Sequence, residues 1–139
     1  MAISVFDLFS LGIGPSSSHT VGPMRATLRF AQGLADSGEL DAVDRVQVEL
    51  YGSLAATGRG HGTPQAVVMG LLGEEPETVD PRSIDARCRE VLGAGRLRLL
   101  GEREVAFGAE DLVYKRRVLP RHANGMLCRA LDGRGGVVR

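Results

Sequence analysis

The sequence predicts an α+β fold, in which helices pack against a mixed β-sheet. Two observations favour it. In the first two-thirds of the chain, apolar residues recur at steps of three and four, as on the inner face of amphipathic helices. The last third breaks into short apolar runs separated by glycine and aspartate turn signals, which is typical of strands. A length of 139 residues suits a single domain over residues 1–139 with its own core.

The first predicted elements are a short turn and a long helix. Residues 4–9 are predicted to form one helical turn. From Val21 to Ala35 the apolar residues share one face, which predicts an amphipathic helix. Thr20 is placed to cap its first turn, and Gly38 is placed to end it.

One strand and two more helices are predicted next. Residues 46–51 alternate between apolar and polar side chains, which predicts a half-buried strand. The almost wholly apolar stretch QAVVMGLLG predicts a buried helix, with Thr63 as its N-cap and Pro64 as its first residue. A third helix is predicted to begin at Pro81 after an Asp80 cap. Its inner stripe would be Ile84, Cys88 and Val91.

The remaining apolar runs predict strands. These are RLRLL, EVAFG, DLVYKRRVL and the start of NGMLCRALDGRGGVVR, which also contains a turn signal at Asp132-Gly133. The last predicted strand is cut short after three residues, where a partner strand is expected to continue. We therefore expect this chain to be a piece of a longer protein.

Composition excludes several classes of function. Seventeen basic residues balance seventeen acidic ones, which gives no electrostatic case for nucleic acid or an anionic membrane as a partner. No apolar run approaches the roughly 20 residues of a membrane span. The N-terminus lacks the features of a signal peptide, so a cytoplasmic location is expected. Cys88 and Cys128 are predicted to be reduced, buried thiols that bind no metal.

The segment GIGPSSSHTVGP is the first candidate site. It places Ser16, Ser17, Ser18, His19 and Thr20 ahead of the first long helix. Unpaired N–H groups and a partial positive charge gather at a helix N-terminus, so these side chains could hold a carboxylate or phosphate there. The alternative is a polar capping loop whose serines satisfy their own backbone.

His61 repeats this arrangement ahead of the second long helix. It lies between Gly60 and Gly62, two residues before Thr63, and glycine lets a backbone approach a ligand closely. An unperturbed imidazole titrates near pH ~6.5, which suits a general base. The alternative is a surface histidine in a flexible loop, but two helix starts that each follow a histidine strengthen the functional interpretation.

The third histidine, His122, lies in LPRHANG beside Arg121, where an exposed hairpin loop is the favoured interpretation. No carboxylate or cysteine keeps a ligand-like spacing with the three histidines, so no metal site is predicted. Lys115, the only lysine, lies within YKRR, which makes pyridoxal phosphate chemistry unexpected because that cofactor needs a Schiff-base lysine.

Three motifs, SVFDLFSLGIGPSSSHTVGPMRA, YGSLAATGRGHGT and LPRHANGM, together resemble the N-terminal β domain of the iron–sulfur-dependent L-serine dehydratases. The resemblance covers essentially the whole chain. It implies a β-elimination that converts L-serine into pyruvate and ammonia. It also implies a 4Fe–4S cluster that acts as Lewis acid and is bound by a separate C-terminal α domain, because the two cysteines here cannot supply a ligand set. The enzyme would be a homodimer, and this chain alone would be inactive.

The resemblance also implies roles for individual residues. His61 matches the proposed base for the α-proton, and His19 would handle or orient a proton. Substrate contacts are expected from Ser16, Ser17, Ser18, Thr20, Thr63 and His122. The family's β domain is similar to the allosteric substrate-binding domain of some phosphoglycerate dehydrogenases, which leaves two alternatives. One is a module that senses L-serine or a small anion, and the other is a module that only docks subunits.

Overall fold

The computed structural model describes residues 5–8, 21–52, 62–115 and 124–138. This part of the chain contains three α-helices and six strands, so the α+β prediction is confirmed. In chain order the elements are β1 (Val5–Leu8), α1 (Gly22–Asp36), β2 (Arg45–Gly52), α2 (Thr63–Leu71), α3 (Pro81–Ala94), β3 (Arg96–Leu99), β4 (Arg103–Ala106), β5 (Leu112–Lys115) and β6 (Asn124–Leu131). None of these helices is long and apolar enough to cross a bilayer.

The strands form one mixed sheet in the order β1–β6–β2–β4–β3, with β5 also paired to β2. β6 runs antiparallel to both of its neighbours, β1 and β2, along the full length of β2. β4 and β5 therefore share the other side of β2 and run parallel to it. β4 meets β2 at Arg45, and β5 pairs with it from Val48 onwards.

The core lies between the helices and one face of this sheet. Val46, Val48 and Leu50 of β2 point into it and are completely buried. They pack in one cluster with helical side chains that include Phe30 and Val67. Burying each large apolar side chain of this kind stabilises the fold by about 1.5–3 kcal/mol.

α1 and α2 pack closely because Gly70 has no side chain. A Cβ atom at position 70 would overlap the Thr27 hydroxyl oxygen and the Met24 carbonyl oxygen. The Thr27 hydroxyl lies 3.0 Å from the Pro23 carbonyl oxygen and 3.2 Å from the Val67 carbonyl oxygen, so it also links the two helices. This contact fixes the start of α1 against α2.

Two predictions for the first half of the chain are wrong. The helical turn expected over residues 4–9 is instead strand β1, which pairs with β6 near the other end of the chain. Because β6 is so distant from β1 in sequence, no local pattern in the sequence predicts this pairing. The strand at residues 46–51 is buried on both faces, because Glu49 is 7% exposed and Tyr51 is 5% exposed.

The helix starts differ from the predictions by one residue. Val21 occupies the N-cap position of α1, and Thr20 lies outside the described residues. Gly62 caps α2 with a φ of 80°, a left-handed conformation that glycine adopts without strain, so Thr63 becomes the first helical residue. The Asp80 cap of α3 is confirmed, since its carboxylate accepts from the Arg82 N–H at 3.0 Å.

Candidate active site at one edge of the sheet

Most residues predicted to form the site lie outside the described residues, namely Ser16, Ser17, Ser18, His19, Thr20, His61 and His122. Thr63 is described. It begins α2 and is completely buried, so its contact with a substrate stays a prediction. The described residues on either side of the histidines nevertheless fix where the chain enters and leaves each segment.

The strands that lead into the histidine segments end at one edge of the sheet. β1 ends opposite Gly125 of β6. β2 ends opposite Asn124, the first residue of β6. β5 ends opposite Tyr51, the penultimate residue of β2. The ends of three strands and the start of a fourth therefore lie side by side.

Each strand end at this edge is followed by one predicted motif. Residues 9–20 follow β1 and contain SSSHT, residues 53–61 follow β2 and contain His61, and residues 116–123 follow β5 and contain His122. The third segment returns to the same edge, because β6 begins directly after it. The topology thus anchors all three motifs at neighbouring points, although they are far apart in sequence.

Residues from the starts of α1 and α2 also line one cavity. Met24, in the first turn of α1, and Gly62, the cap of α2, line the same cavity of about 240 Å³. His61 is bonded directly to Gly62, and consecutive Cα atoms lie about 3.8 Å apart. The other lining residues in the described part of the chain are Gln65, Ala66, Pro81, Ile84 and Asp85.

An ionic cluster around the buried Glu49 lies near this edge, on the sheet face opposite the core. The Glu49 carboxylate accepts from the Tyr51 hydroxyl at 2.5 Å and from Nη1 of Arg129 at 2.6 Å. Nζ of Lys115 lies 3.5 Å from the same carboxylate and 5.9 Å from the centre of the Tyr51 ring. The cluster joins β2, β5 and β6 where two histidine segments begin.

Burial alone would raise the pKa of Glu49. Hydrogen bonds from Tyr51 and Arg129, together with the charges of Arg129 and Lys115, outweigh that effect and hold the pKa below its usual value of 4.5. Glu49 is therefore ionised at neutral pH. Its contacts with Tyr51, Arg129 and Lys115 connect β2, β6 and β5. Sequence reasoning missed this cluster because its members come from three separate strands. The one available signal in the sequence was that Glu49 and Tyr51 lie two residues apart on a predicted strand, which places both side chains on the same face.

Substituting Glu49→Gln should lower the free energy of unfolding at neutral pH by about 1–2 kcal/mol, after allowance for the partial exposure of Arg129 and Lys115. Because the folded-state pKa is depressed, the contribution of Glu49 is complete above pH 4.5 and disappears as the pH falls through the folded value. Urea unfolding of both proteins at pH 7 and at acidic pH checks this, since their difference should shrink in acid.

The matched control for this prediction is Glu104→Gln. Glu104 pairs with Arg96, but both side chains are more than half exposed. Its loss should change the free energy of unfolding by less than about 0.5 kcal/mol. A Glu49→Gln effect no larger than that of the control would contradict the structural role of the cluster.

The chain does not fit an iron–sulfur cluster of its own. Its two cysteines cannot provide four thiolate ligands. Cys88 and Cys128 are both buried, and burial together with the charge of Asp85 raises the pKa of Cys88. Within residues 5–8, 21–52, 62–115 and 124–138, no three histidine, cysteine, aspartate or glutamate side chains form a metal-binding group.

Comparison with known proteins gives a consistent result. The family model described as serine dehydratase beta chain matches residues 4–139. A Streptomyces coelicolor protein named L-serine dehydratase is 57% identical over 140 residues, which cover 99% of this chain and 31% of the relative. The Escherichia coli protein L-serine dehydratase 1 is 50% identical over 133 residues, which cover 94% of this chain and 29% of the relative.

A Mycobacterium tuberculosis protein, also named L-serine dehydratase, is 47% identical over 139 residues, covering 99% of this chain and 30% of the relative. The chain therefore spans about 30% of the length of the relatives it matches. These matches confirm the resemblance that the three sequence motifs predict.

Proposed function

Because the chain belongs to the serine dehydratase beta chain family, we propose that it forms one wall of the active site of an L-serine dehydratase. The reaction would be the β-elimination of water from L-serine, followed by release of pyruvate and ammonia. The names of the relatives support the substrate and the reaction. The rest of the enzyme would lie in a C-terminal α domain outside these 139 residues.

The observation that carries the proposal is the convergence of strand ends. β1, β2, β5 and β6 anchor the three histidine segments at one edge of the sheet. In addition, the starts of α1 and α2 share one cavity. A common substrate site for His19, His61 and His122 requires this arrangement, because residues so far apart in sequence meet only if the sheet brings their segments together.

The reaction needs a base for the α-proton, a group that holds the carboxylate, and help for the departing hydroxyl. We assign the base to His61, because an imidazole side chain can accept a proton at neutral pH. The serines at 16–18, with Thr20 and Thr63, would hold the carboxylate beside the N–H groups at the starts of α1 and α2. His19 would orient a proton, and His122 would contact substrate at the mouth of the site.

Help for the leaving hydroxyl would come from outside this chain. In the proposed enzyme a 4Fe–4S cluster held by the α domain would supply Lewis acidity, since the two cysteines here are too few to hold it. The residues of this chain would then bind the amino acid, exclude water and accept the α-proton. We further propose that the enzyme is a cytoplasmic homodimer.

The proposal predicts that full-length protein prepared without oxygen forms pyruvate and ammonium from L-serine in equal amounts. The 139-residue chain alone should form neither, because it lacks the groups that assist departure of the hydroxyl. Coupled assays for both products test this directly. Absence of pyruvate from full-length protein with its cluster intact would reject the proposed function. Pyruvate formation by the isolated chain would reject the proposal that help for the leaving hydroxyl comes from the α domain.

A further inference from the structure

We infer that strand β3 pairs with an extended segment from the part of the full-length protein that lies outside these 139 residues. This segment would alternate acidic and apolar side chains and would add to the side of β3 that faces away from β4, which we call the open side of β3. The inference goes beyond the proposed function, and it shares the premise that the enzyme continues past this chain.

The first observation is that backbone groups of β3 face away from the sheet. β3 is the last strand in the sheet order and pairs only with β4 in the described part of the chain. The Phe107 N–H donates to the Gly95 carbonyl at 2.9 Å, whereas the Ala106 N–H, opposite Arg96, donates to the Asp44 carbonyl at 2.7 Å. Bonded and non-bonded pairs alternate in an antiparallel ladder, so the N–H and carbonyl of Arg96 point to the open side. These groups can pair with a further strand.

The second observation is a groove along the open side. α3 and β3 together line a cavity of about 380 Å³. Its charged lining residues on α3, Arg87 and Glu90, have opposite signs. Alternate side chains of a strand point to opposite faces, so every second residue of an added strand would point toward α3. Apolar side chains there would meet the apolar part of the lining, which consists of Leu72, Val91, Ala94 and Leu97.

The third observation is the charge beside the open side. Arg96 and Arg98 alternate with the buried Leu97 and Leu99, so both arginines lie on the face opposite the core, and both are exposed. Arg96 pairs with Glu104 at 3.2 Å, whereas Arg98 makes no ion pair within the residues that the structure describes. An acidic side chain opposite Arg98 on an added strand would stabilise the pairing. The segment that fits therefore has acidic residues on this face and apolar residues toward α3.

A second copy of this chain does not complement the open side. Two β3 strands that paired with each other would bring Arg96 and Arg98 of one copy beside those of the other, and like charges opposite each other destabilise a sheet. The remainder of the same polypeptide is available instead, because the chain spans about 30% of the length of the relatives it matches.

The last described residues lie within reach of β3. One row across the sheet contains residues that lie opposite one another on successive strands, namely Val137, Leu131, Arg45, Ala106 and Arg96. At about 4.8 Å per strand, the row spans about 19 Å from its first residue to its last. Tethering at such a distance raises the effective concentration of a following segment at the open side of β3.

Zero-length cross-linking of the full-length holoenzyme tests the inference. Arg98→Lys keeps the charge and places an amine beside the open side, and a carbodiimide joins an amine only to a carboxylate in contact with it. Lys115 is the only natural lysine in this chain, so mass spectrometry can assign each cross-link. We expect the amine at position 98 to join an aspartate or glutamate beyond residue 139. Arg29→Lys, exposed on α1, is the matched control and should not join the same segment.

Amide hydrogen exchange of the full-length holoenzyme gives a second, independent measurement. The Arg96 N–H should exchange slowly in the wild type, because the added strand accepts its hydrogen bond. Arg98→Glu places like charges opposite each other and should lose this protection. Arg82→Glu is the matched control, since Arg82 is 92% exposed on α3 and does not line the cavity. The control should keep the Arg96 N–H protected.

Three results would overturn the inference. They are the absence of any cross-link from position 98 to a residue beyond 139, a cross-link to a second copy in a mixture of isotopically labelled and unlabelled protein, and rapid exchange of the Arg96 N–H in the wild type. If such a result occurs while the wild type forms pyruvate from L-serine, the assignment of the open side fails and the dehydratase proposal stands. If the wild type forms no pyruvate, the dehydratase proposal itself fails.

Discussion

Replacing His61 with alanine in the full-length protein should lower kcat for pyruvate formation from L-serine by about 10²–10⁴-fold. The physical reason is the loss of the imidazole that would accept the α-proton, for which water is a poor substitute. KM should change much less, because the groups assigned to the carboxylate remain. Initial rates over a range of L-serine concentrations, at equal iron content per protein, give both constants.

The control for this prediction is His122→Ala, which removes an imidazole from a segment at the same edge of the sheet. This substitution should lower kcat less than His61→Ala does, because His122 is assigned to substrate contact and not to proton abstraction. Activity of His61→Ala within a few-fold of the wild type would reject the base role. If serine turnover persisted but its dependence on serine concentration changed, a sensing role for this chain would be favoured. An effect on assembly alone would favour a docking role.

The second large effect should come from Gly70→Ala. The new Cβ would overlap the Thr27 hydroxyl and the Met24 carbonyl oxygen, so α1 and α2 must move apart. We expect the free energy of unfolding of the chain to fall by about 2 kcal/mol or more, despite the gain of about 1 kcal/mol that alanine brings to a helix interior. Urea denaturation monitored by circular dichroism measures the difference.

Gly93→Ala is the matched control, because Gly93 also lies within a helix but a Cβ there would meet no atom within 4 Å. This substitution should raise the free energy of unfolding by up to about 1 kcal/mol. The two glycine substitutions are thus predicted to act in opposite directions. A neutral or stabilising Gly70→Ala would contradict the close packing of α1 on α2.

Local signals were sufficient for the helices. The apolar face between Val21 and Ala35, the Asp80 cap and the Pro81 start are all found in the structure, because helices are specified by neighbours three and four residues apart. The N-caps of α1 and α2 are Val21 and Gly62, each one residue away from the predicted Thr20 and Thr63. Valine and glycine thus occupy cap positions that hydroxyl side chains usually fill.

Non-local features were not predictable in this way. β1 is a strand because β6 pairs with it, and Glu49 is buried because Arg129 and Lys115 reach it from other strands. The motifs predict that three segments carry the chemistry, but only the strand order places the anchors of those segments at one edge.

The most direct test of the central claim is the distance from His61 to the substrate α-carbon in a crystal structure of the full-length enzyme. L-Alanine is a suitable ligand, because it has an α-proton, an ammonium and a carboxylate but no hydroxyl to eliminate. We predict an imidazole nitrogen about 3–3.5 Å from the α-carbon, at the sheet edge where β1, β2 and β5 end. An imidazole turned away into the helix core, with another side chain beside the α-carbon, would contradict the account.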